Sequence, residues 1–80
     1  MTSMPMKTKR IKIHNITDIS TMVHEANLIC GDVILRRGKF AVDGTSFLGV
    51  ISIVNSDEPV IIEYPEEAKQ FDEFISKFGI

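Results

Sequence analysis

Several features that are common in other protein classes are scarce in this 80-residue sequence, and each scarcity excludes some classes of function. The single cysteine, Cys30, cannot form an internal disulfide, which favours a reducing compartment. No apolar run approaches the roughly 18–20 residues that cross a membrane. The longest run, residues 47–54, is interrupted by Gly49 and Ser52. The N-terminal residues lack the apolar core of a signal peptide. We therefore expect a cytoplasmic protein that does not engage a membrane.

The sequence also lacks a charge excess and the common catalytic motifs. Its formal net charge is −2, which gives no electrostatic footprint for nucleic acid. There is no cluster of His, Cys, Asp and Glu with metal-ligand spacing, no glycine-rich phosphate loop and no local Ser/His/Asp motif. We therefore expect no cofactor, no metal site, no nucleic-acid partner and no independent enzymatic activity.

The composition that remains is that of one small globular domain. Hydrophobic residues make up 44% of the chain and charged residues 25%, which are ordinary values for a folded protein. Residues 1–8 are predicted to be a flexible N-terminal tail, and residues 9–80 a single domain.

The hydrophobic periodicity predicts the elements in the order β-α-β-β-α-β-α. Residues 10–14 alternate as a half-buried strand, and two further strands flank a turn at Arg37-Gly38. Thr17 or Asp18 is predicted to cap the first helix, and Pro65 to begin the last one. The apolar positions of the outer helices are Ile19, Met22, Val23, Ala26 and Ile29 in the first, and Ala68, Phe71, Phe74, Ile75 and Phe78 in the last. The helices share a core only if they pack on one side of the sheet, so the predicted class is an α+β open-faced sandwich.

The segment 43–53 is the most informative part of the sequence. Asp43-Gly44 is typical of a turn, and Thr45 or Ser46 is placed to cap a short helix. One side of that helix carries Val50, Ile53 and Val54, and a second apolar side carries Phe47, Leu48 and Ile51. Two apolar sides indicate either deep burial or a surface for a partner, and we predict that Phe47, Leu48 and Ile51 bind a partner.

This segment resembles the regulatory-serine region of HPr, the histidine phosphocarrier of the bacterial sugar phosphotransferase system. That family shows a lysine, a serine, two large apolar residues, a glycine, an aliphatic residue and a serine-leucine ending. Ser46 matches the serine, the next two residues match the apolar pair, and Gly49 matches the glycine, whereas Thr45 replaces the lysine. The element order agrees over residues 9–79. The resemblance implies an HPr-like fold with a four-stranded antiparallel sheet and three helices on one face, a bacterial origin, and Ser46 as a candidate phosphorylation site.

The phosphoryl-accepting site of the HPr family has no full counterpart here. That family carries a His-x-Arg-Pro segment before its first helix, where the arginine pairs with the phosphate. The corresponding stretch, residues 13–19, contains His14 but no arginine or proline, and Asp18 would repel a phosphate. His14 is the one remaining candidate for a phosphoryl acceptor.

These observations predict a non-catalytic, HPr-like regulatory or adaptor protein related to the phosphotransferase system. Its partner would be a protein, such as a serine kinase or a transcriptional regulator. Ser46 would be either a modification site or only a helix cap. One alternative is a functional phosphocarrier that uses His14. A second alternative is a structural domain that forms homo-oligomers through Phe47 and Leu48.

Overall fold

The computed structural model describes residues 5–54 and 58–80. Within these residues the chain forms four strands and three helices in the predicted order. The strands are β1 (Met6–Ile11), β2 (Ile34–Arg37), β3 (Phe40–Asp43) and β4 (Val60–Pro65). The helices are α1 (Ile16–Asn27), α2 (Phe47–Ile53) and α3 (Lys69–Ser76). The predicted fold class, an α+β open-faced sandwich, is confirmed.

The strands form an antiparallel sheet in the order β1-β4-β2-β3. Because successive side chains of a strand point to opposite faces, the register decides which residues meet the helices. Leu35 pairs with Ile62, and Lys7 pairs with Tyr64. Leu35, Ile62 and Tyr64 are fully buried. One face of the sheet therefore contributes to the core, and the other is open.

Most of the apolar positions that the periodicity predicted belong to the core. In α1 the buried residues are Ile19, Met22, Val23 and Ala26, and in α3 they are Phe71 and Ile75. The other predicted positions are only partly buried, and all but Phe74 lie outside the two helices: Ile29, Ala68, Phe74 and Phe78. Phe71 packs edge-to-face against Tyr64, with ring centroids 5.5 Å apart. Burial of this apolar surface is the main force that holds the helices on the sheet.

The start of α1 differs from the prediction. The capping residue is Asn15, not Thr17 or Asp18. The Asn15 Oδ1 atom accepts a hydrogen bond from the Thr17 N–H at 2.8 Å. Asparagine, threonine and aspartate all cap helices, so residue type alone does not identify which of several neighbours begins the helix.

The predicted start of α3 at Pro65 is wrong, because Pro65 is the last residue of β4 and the helix begins at Lys69. Pro65 pairs with Met6 of β1 and is buried. Its ring also lies against Gly31, where a β-carbon would come within 2.7 Å of Pro65 Cγ. Tertiary contacts thus hold the proline in the sheet, and the Ala68 N–H donates to the Pro65 carbonyl at 3.0 Å to close the turn.

The first strand also differs from its predicted limits. It begins at Met6 and ends at Ile11, so residues 6–8 of the predicted tail belong to the sheet. The polar residues Lys7 and Lys9 favour a flexible tail in the sequence. In the structure their Nζ atoms lie 3.2 and 3.7 Å from Asp72 Oδ1 of α3, and these contacts help to hold the strand in place. Pro5 precedes the strand, and its carbonyl accepts a hydrogen bond from the Glu66 N–H at 3.0 Å. Residues 1–4 of the predicted tail and residues 55–57 of the predicted loop lie outside the described residues.

Candidate functional site

Ser46 is the N-cap residue of α2, one of the two residues that the sequence offered for this position. Its backbone is extended, with φ −102° and ψ 112°. Its Oγ atom accepts a hydrogen bond from the Gly49 N–H at 3.2 Å, and its carbonyl accepts one from the Val50 N–H at 2.9 Å. The side chain is exposed. The hydroxyl is therefore fixed at the helix start and is accessible from solvent.

The turn before Ser46 is held by hydrogen bonds from both sides. Asp43 Oδ1 accepts hydrogen bonds from the Thr45 hydroxyl at 2.7 Å and from the Thr45 N–H at 2.9 Å. Both hydrogen bonds lower the pKa of the Asp43 carboxyl from its ordinary value, and the bond from the hydroxyl has the larger effect. The Gly44 N–H donates to the Val33 carbonyl at 2.7 Å, and a β-carbon at Gly44 would lie 2.5 Å from Val33 Cγ1. Only glycine fits there without displacing the core.

Asn27 contributes to the site, and the sequence reasoning missed it. Its Nδ2 atom donates to the Thr45 carbonyl at 3.2 Å and to the Val23 carbonyl at 2.8 Å. These bonds join the end of α1 to the start of α2. No sequence signal identifies this role, because an exposed asparagine at a helix end is ordinary and its partner is 18 residues away.

The predicted partner-binding residues of α2 do not share one environment. Leu48 is 79% exposed and Phe47 is 37% exposed. Ile51 is half-buried and packs against the core, next to the buried Val50 and Ile53. The exposed apolar surface at the start of α2 therefore consists of Leu48 and Phe47, and we call this pair the α2 surface.

The far end of α2 is fixed by Arg37. The Arg37 Nε atom donates to the Ile53 carbonyl at 2.5 Å, and Nη1 lies 3.0 Å from Glu58 Oε2. A cation at the C-terminal end of a helix also interacts favourably with the helix dipole. The α2 surface is thus presented by a helix that is anchored at both ends.

His14 is exposed and immediately precedes the N-cap of α1. The first-turn N–H groups of Thr17 and Asp18, which would bind an anion there, both donate to Asn15 Oδ1, at 2.8 and 3.4 Å. Asp18 adds a negative charge to the same turn. The Thr17 and Asp18 N–H groups are therefore already hydrogen-bonded within the protein, next to the exposed imidazole of His14.

Two further properties concern the described residues as a whole. Across residues 5–54 and 58–80, no three His, Cys, Asp or Glu side chains are grouped to hold a metal ion. In the same part of the chain, no helix has the length and apolar character that a membrane span requires.

Comparison with known proteins supports the architecture. No family model matches the sequence, and no curated protein matches it. Among solved structures, the chain is similar to a phosphocarrier protein HPr from Bacillus anthracis str. Ames. The TM-score is 0.71, and the match covers 91% of this chain and 96% of that chain. The chain has the HPr fold. Sequence identity is 17%, so the similarity concerns the fold alone.

Proposed function

We propose that this protein is a non-catalytic, HPr-like regulatory or adaptor protein related to the phosphotransferase system, and that it binds a protein partner through the α2 surface. The observation that carries the proposal is the position of Leu48. Its side chain is 79% exposed in the first turn of an anchored helix whose N-cap is the accessible Ser46. Large apolar side chains that are exposed beside a polar rim are typical of sites for protein–protein contact.

Ser46 is proposed as the site where phosphorylation controls this binding. A phosphoserine adds roughly two negative charges, and the positive end of the α2 dipole favours negative charge at that position. The first turn of α2 contains no acidic side chain. Phosphorylation would therefore leave the helix in place and change the charge of the surface that a partner contacts. A serine kinase or a transcriptional regulator is the class of partner that we propose.

The alternative, a phosphocarrier that uses His14, has one observation in its favour. The imidazole is exposed and lies at the start of α1, where a helix dipole would favour an anion. The side chain of Asn15 already occupies the Thr17 N–H group, and Asp18 lies in the same turn. We therefore rank the carrier function second.

The proposal is tested by partner capture with matched variants. An extract of the source organism is passed over immobilised wild-type protein, Leu48→Glu and Ile80→Glu. Ile80 is also strongly exposed, at 66%, but its N–H donates to the Arg10 carbonyl of β1, at the edge of the sheet opposite to the strand that leads into α2. We expect a partner that is retained by the wild type and by Ile80→Glu, and lost with Leu48→Glu.

A second comparison tests the control by phosphorylation. Ser46→Asp places a negative charge at the cap position, whereas Ser46→Ala does not, so the two variants should differ in their affinity for the captured partner. Equal retention by Leu48→Glu and the wild type would contradict the proposed surface. Equal affinity of Ser46→Asp and Ser46→Ala would contradict the role of Ser46 and leave the surface intact.

A further inference from the structure

The two edge strands of the sheet, β1 and β3, differ in the backbone hydrogen bonds that their outer edges make. The outer edge of β1 is covered near its end, because the Lys12 N–H donates to the Phe78 carbonyl at 2.9 Å and the Ile80 N–H donates to the Arg10 carbonyl at 3.1 Å. At the opposite edge, none of the described residues pairs with the outer side of β3. A strand whose edge is open presents unpaired backbone groups to which another strand can add.

The register of the β2–β3 hairpin shows which backbone groups face this edge. The Gly44 N–H donates to the Val33 carbonyl at 2.7 Å, so the backbone of Gly44 points toward β2. Because direction alternates along a strand, Val42 and Phe40 also point toward β2, whereas Ala41 and Asp43 point outward. The Asp43 carbonyl accepts a bond from the Ser46 N–H. The Ala41 N–H and carbonyl therefore form the centre of the open edge.

We propose that β3 pairs antiparallel with β3 of a second copy of this chain, about a two-fold axis at Ala41. In this register Ala41 opposes Ala41, and the two residues exchange a pair of backbone hydrogen bonds. Phe40 opposes Val42 of the second copy, and the turn residue Lys39 lies near Asp43 of the second copy. Each of these flanking contacts occurs twice, as two-fold symmetry requires.

The charges near this edge favour a second copy as the occupant. Lys39 and Asp43 have opposite signs and stand at equal distances in sequence from Ala41, so self-pairing brings the long Lys39 side chain, attached to the hairpin turn, near Asp43 of the second copy. The hydrogen bonds from Thr45 both fall on Oδ1 of Asp43, so its Oδ2 atom can face this lysine. A register shifted by two residues loses both matches. The nearby arginines are engaged elsewhere, with Arg36 Nε 3.7 Å from Glu63 and Arg37 Nη1 3.0 Å from Glu58.

The apolar side chains of β3 fit the same register. Phe40 is 64% exposed, and Val42 is partly buried against the core. Both side chains lie on the face of the sheet that carries the helices, since Val42 pairs with the buried Leu35 and the two positions are two residues apart. Across the new strand pair, Phe40 of one copy would cover Val42 of the other. Four residues a strand make a small interface, so the association is weak and depends on concentration.

Sedimentation velocity over a series of protein concentrations tests this pairing. The wild-type sedimentation coefficient is expected to rise with concentration. Ala41→Pro removes the outward N–H and keeps the bonds to β2, a substitution that edge strands accept. Lys39→Glu places a carboxylate opposite Asp43 and changes only an exposed turn residue. Each variant should weaken the dimer by about tenfold or more, as expected when backbone hydrogen bonds or an opposite-charge match are lost.

Leu48→Glu is the matched control, because it alters α2 and leaves β3 unchanged. It should dimerise like the wild type. Urea unfolding of Ala41→Pro checks that the hairpin remains folded. If Ala41→Pro does not fold, the pairing is tested with Lys39→Glu alone. The proposal is overturned if the wild type stays monomeric at every concentration. It is also overturned if Lys39→Glu dimerises as strongly as the wild type, or if only Leu48→Glu abolishes the dimer. Wild-type protein whose β3 edge binds only unrelated extended peptides would overturn it as well. Loss of the β3 pairing leaves partner capture by the α2 surface untouched, whereas a dimer that only Leu48→Glu abolishes would place a second copy on that surface.

Discussion

At the scale of single residues, the start of α2 depends on short polar side chains that hydrogen-bond to the backbone. The first N–H groups of a helix have no partner within the helix, and a capping side chain satisfies one of them. Ser46 does this for Gly49, while Asp43 holds the preceding turn through Thr45. The position of the α2 surface therefore follows from hydrogen bonds made by a few short polar side chains.

Loss of the Ser46 cap should lower stability without changing the fold. Ser46→Ala is expected to reduce the free energy of unfolding by about 1 kcal/mol, because the Gly49 N–H loses its partner. Ser46→Asp should lose less, since a carboxylate also caps and interacts favourably with the helix dipole. The measurement is urea unfolding followed by circular dichroism. Ser20→Ala is the control, since Ser20 is exposed inside α1 and should be close to neutral. An equal loss in both variants would contradict the capping role.

Gly44 should not tolerate a side chain. A β-carbon there would lie 2.5 Å from Val33 Cγ1 and 3.1 Å from the Val33 carbonyl. Gly44→Ala is therefore expected to cost about 1–3 kcal/mol of unfolding free energy, the usual range for overpacking a core. Thermal and urea unfolding measure this loss. A Gly44→Ala variant as stable as the wild type would show that the turn can move away from Val33.

At the scale of elements, α2 has one side that supports the fold and one that is exposed. Val50→Ala should cost about 1–3 kcal/mol, because Val50 is fully buried and its truncation leaves a cavity. Leu48→Glu should stay within about 0.5 kcal/mol of the wild type, because Leu48 is 79% exposed. Equilibrium urea unfolding compares the two variants. An unfolded Leu48→Glu protein would show that this side chain belongs to the core, and the α2 surface would lose its physical basis.

The sheet and α3 are joined by a polar contact that links stability to pH. The Asp72 carboxylate accepts a hydrogen bond from the buried Tyr64 hydroxyl, and Lys7 Nζ lies 3.2 Å away. The tyrosine bond, with a smaller contribution from Lys7 and Lys9, keeps the pKa of Asp72 below its ordinary value of 3.8. Burial, and then the hydrogen bond to Asp72, raises the pKa of Tyr64. The contact is therefore strongest when Asp72 is charged and Tyr64 is protonated.

Acid should weaken this contact in a direction that the pKa of Asp72 determines. The unfolded carboxyl takes up its proton near pH 3.8 and the folded one only below it, so the stabilisation is complete above this pH and is lost as the pH falls further. Asp72→Asn should therefore show a shallower loss of unfolding free energy on the acid side. Asp43 retains a residual slope, because its pKa is also lowered. Gln70→Ala, which changes an exposed and uncharged residue of the same helix, is the control and should keep the wild-type slope. Identical acid profiles for Asp72→Asn and the wild type would rule out this linkage.

At the scale of the whole molecule, the sequence predicted the element order and fold class because periodic apolar residues define faces. It also identified Ser46 as one of two caps for α2. It did not predict that Pro65 stays in β4, because Gly31 and Met6, which hold it there, are distant in sequence. The same limitation applies to Lys7, which Asp72 contacts from 65 residues away, and to Asn27, whose bond to Thr45 depends on the packing of two helices. Local pattern predicts elements, while contacts between them decide their ends.

This chain has the HPr fold, and we expect it to lack a working phosphohistidine site. The most direct test is incubation with phosphoenolpyruvate and the phosphotransferase that loads HPr, with an HPr protein as the positive control. Acid-labile label is the readout, since phosphohistidine is acid-labile and phosphoserine is not. We predict that HPr is labelled and this protein is not, because the Thr17 and Asp18 N–H groups already donate to Asn15 and the Asp18 carboxylate lies in the same turn. Stoichiometric acid-labile label that disappears in His14→Ala would contradict the account and establish the carrier function instead.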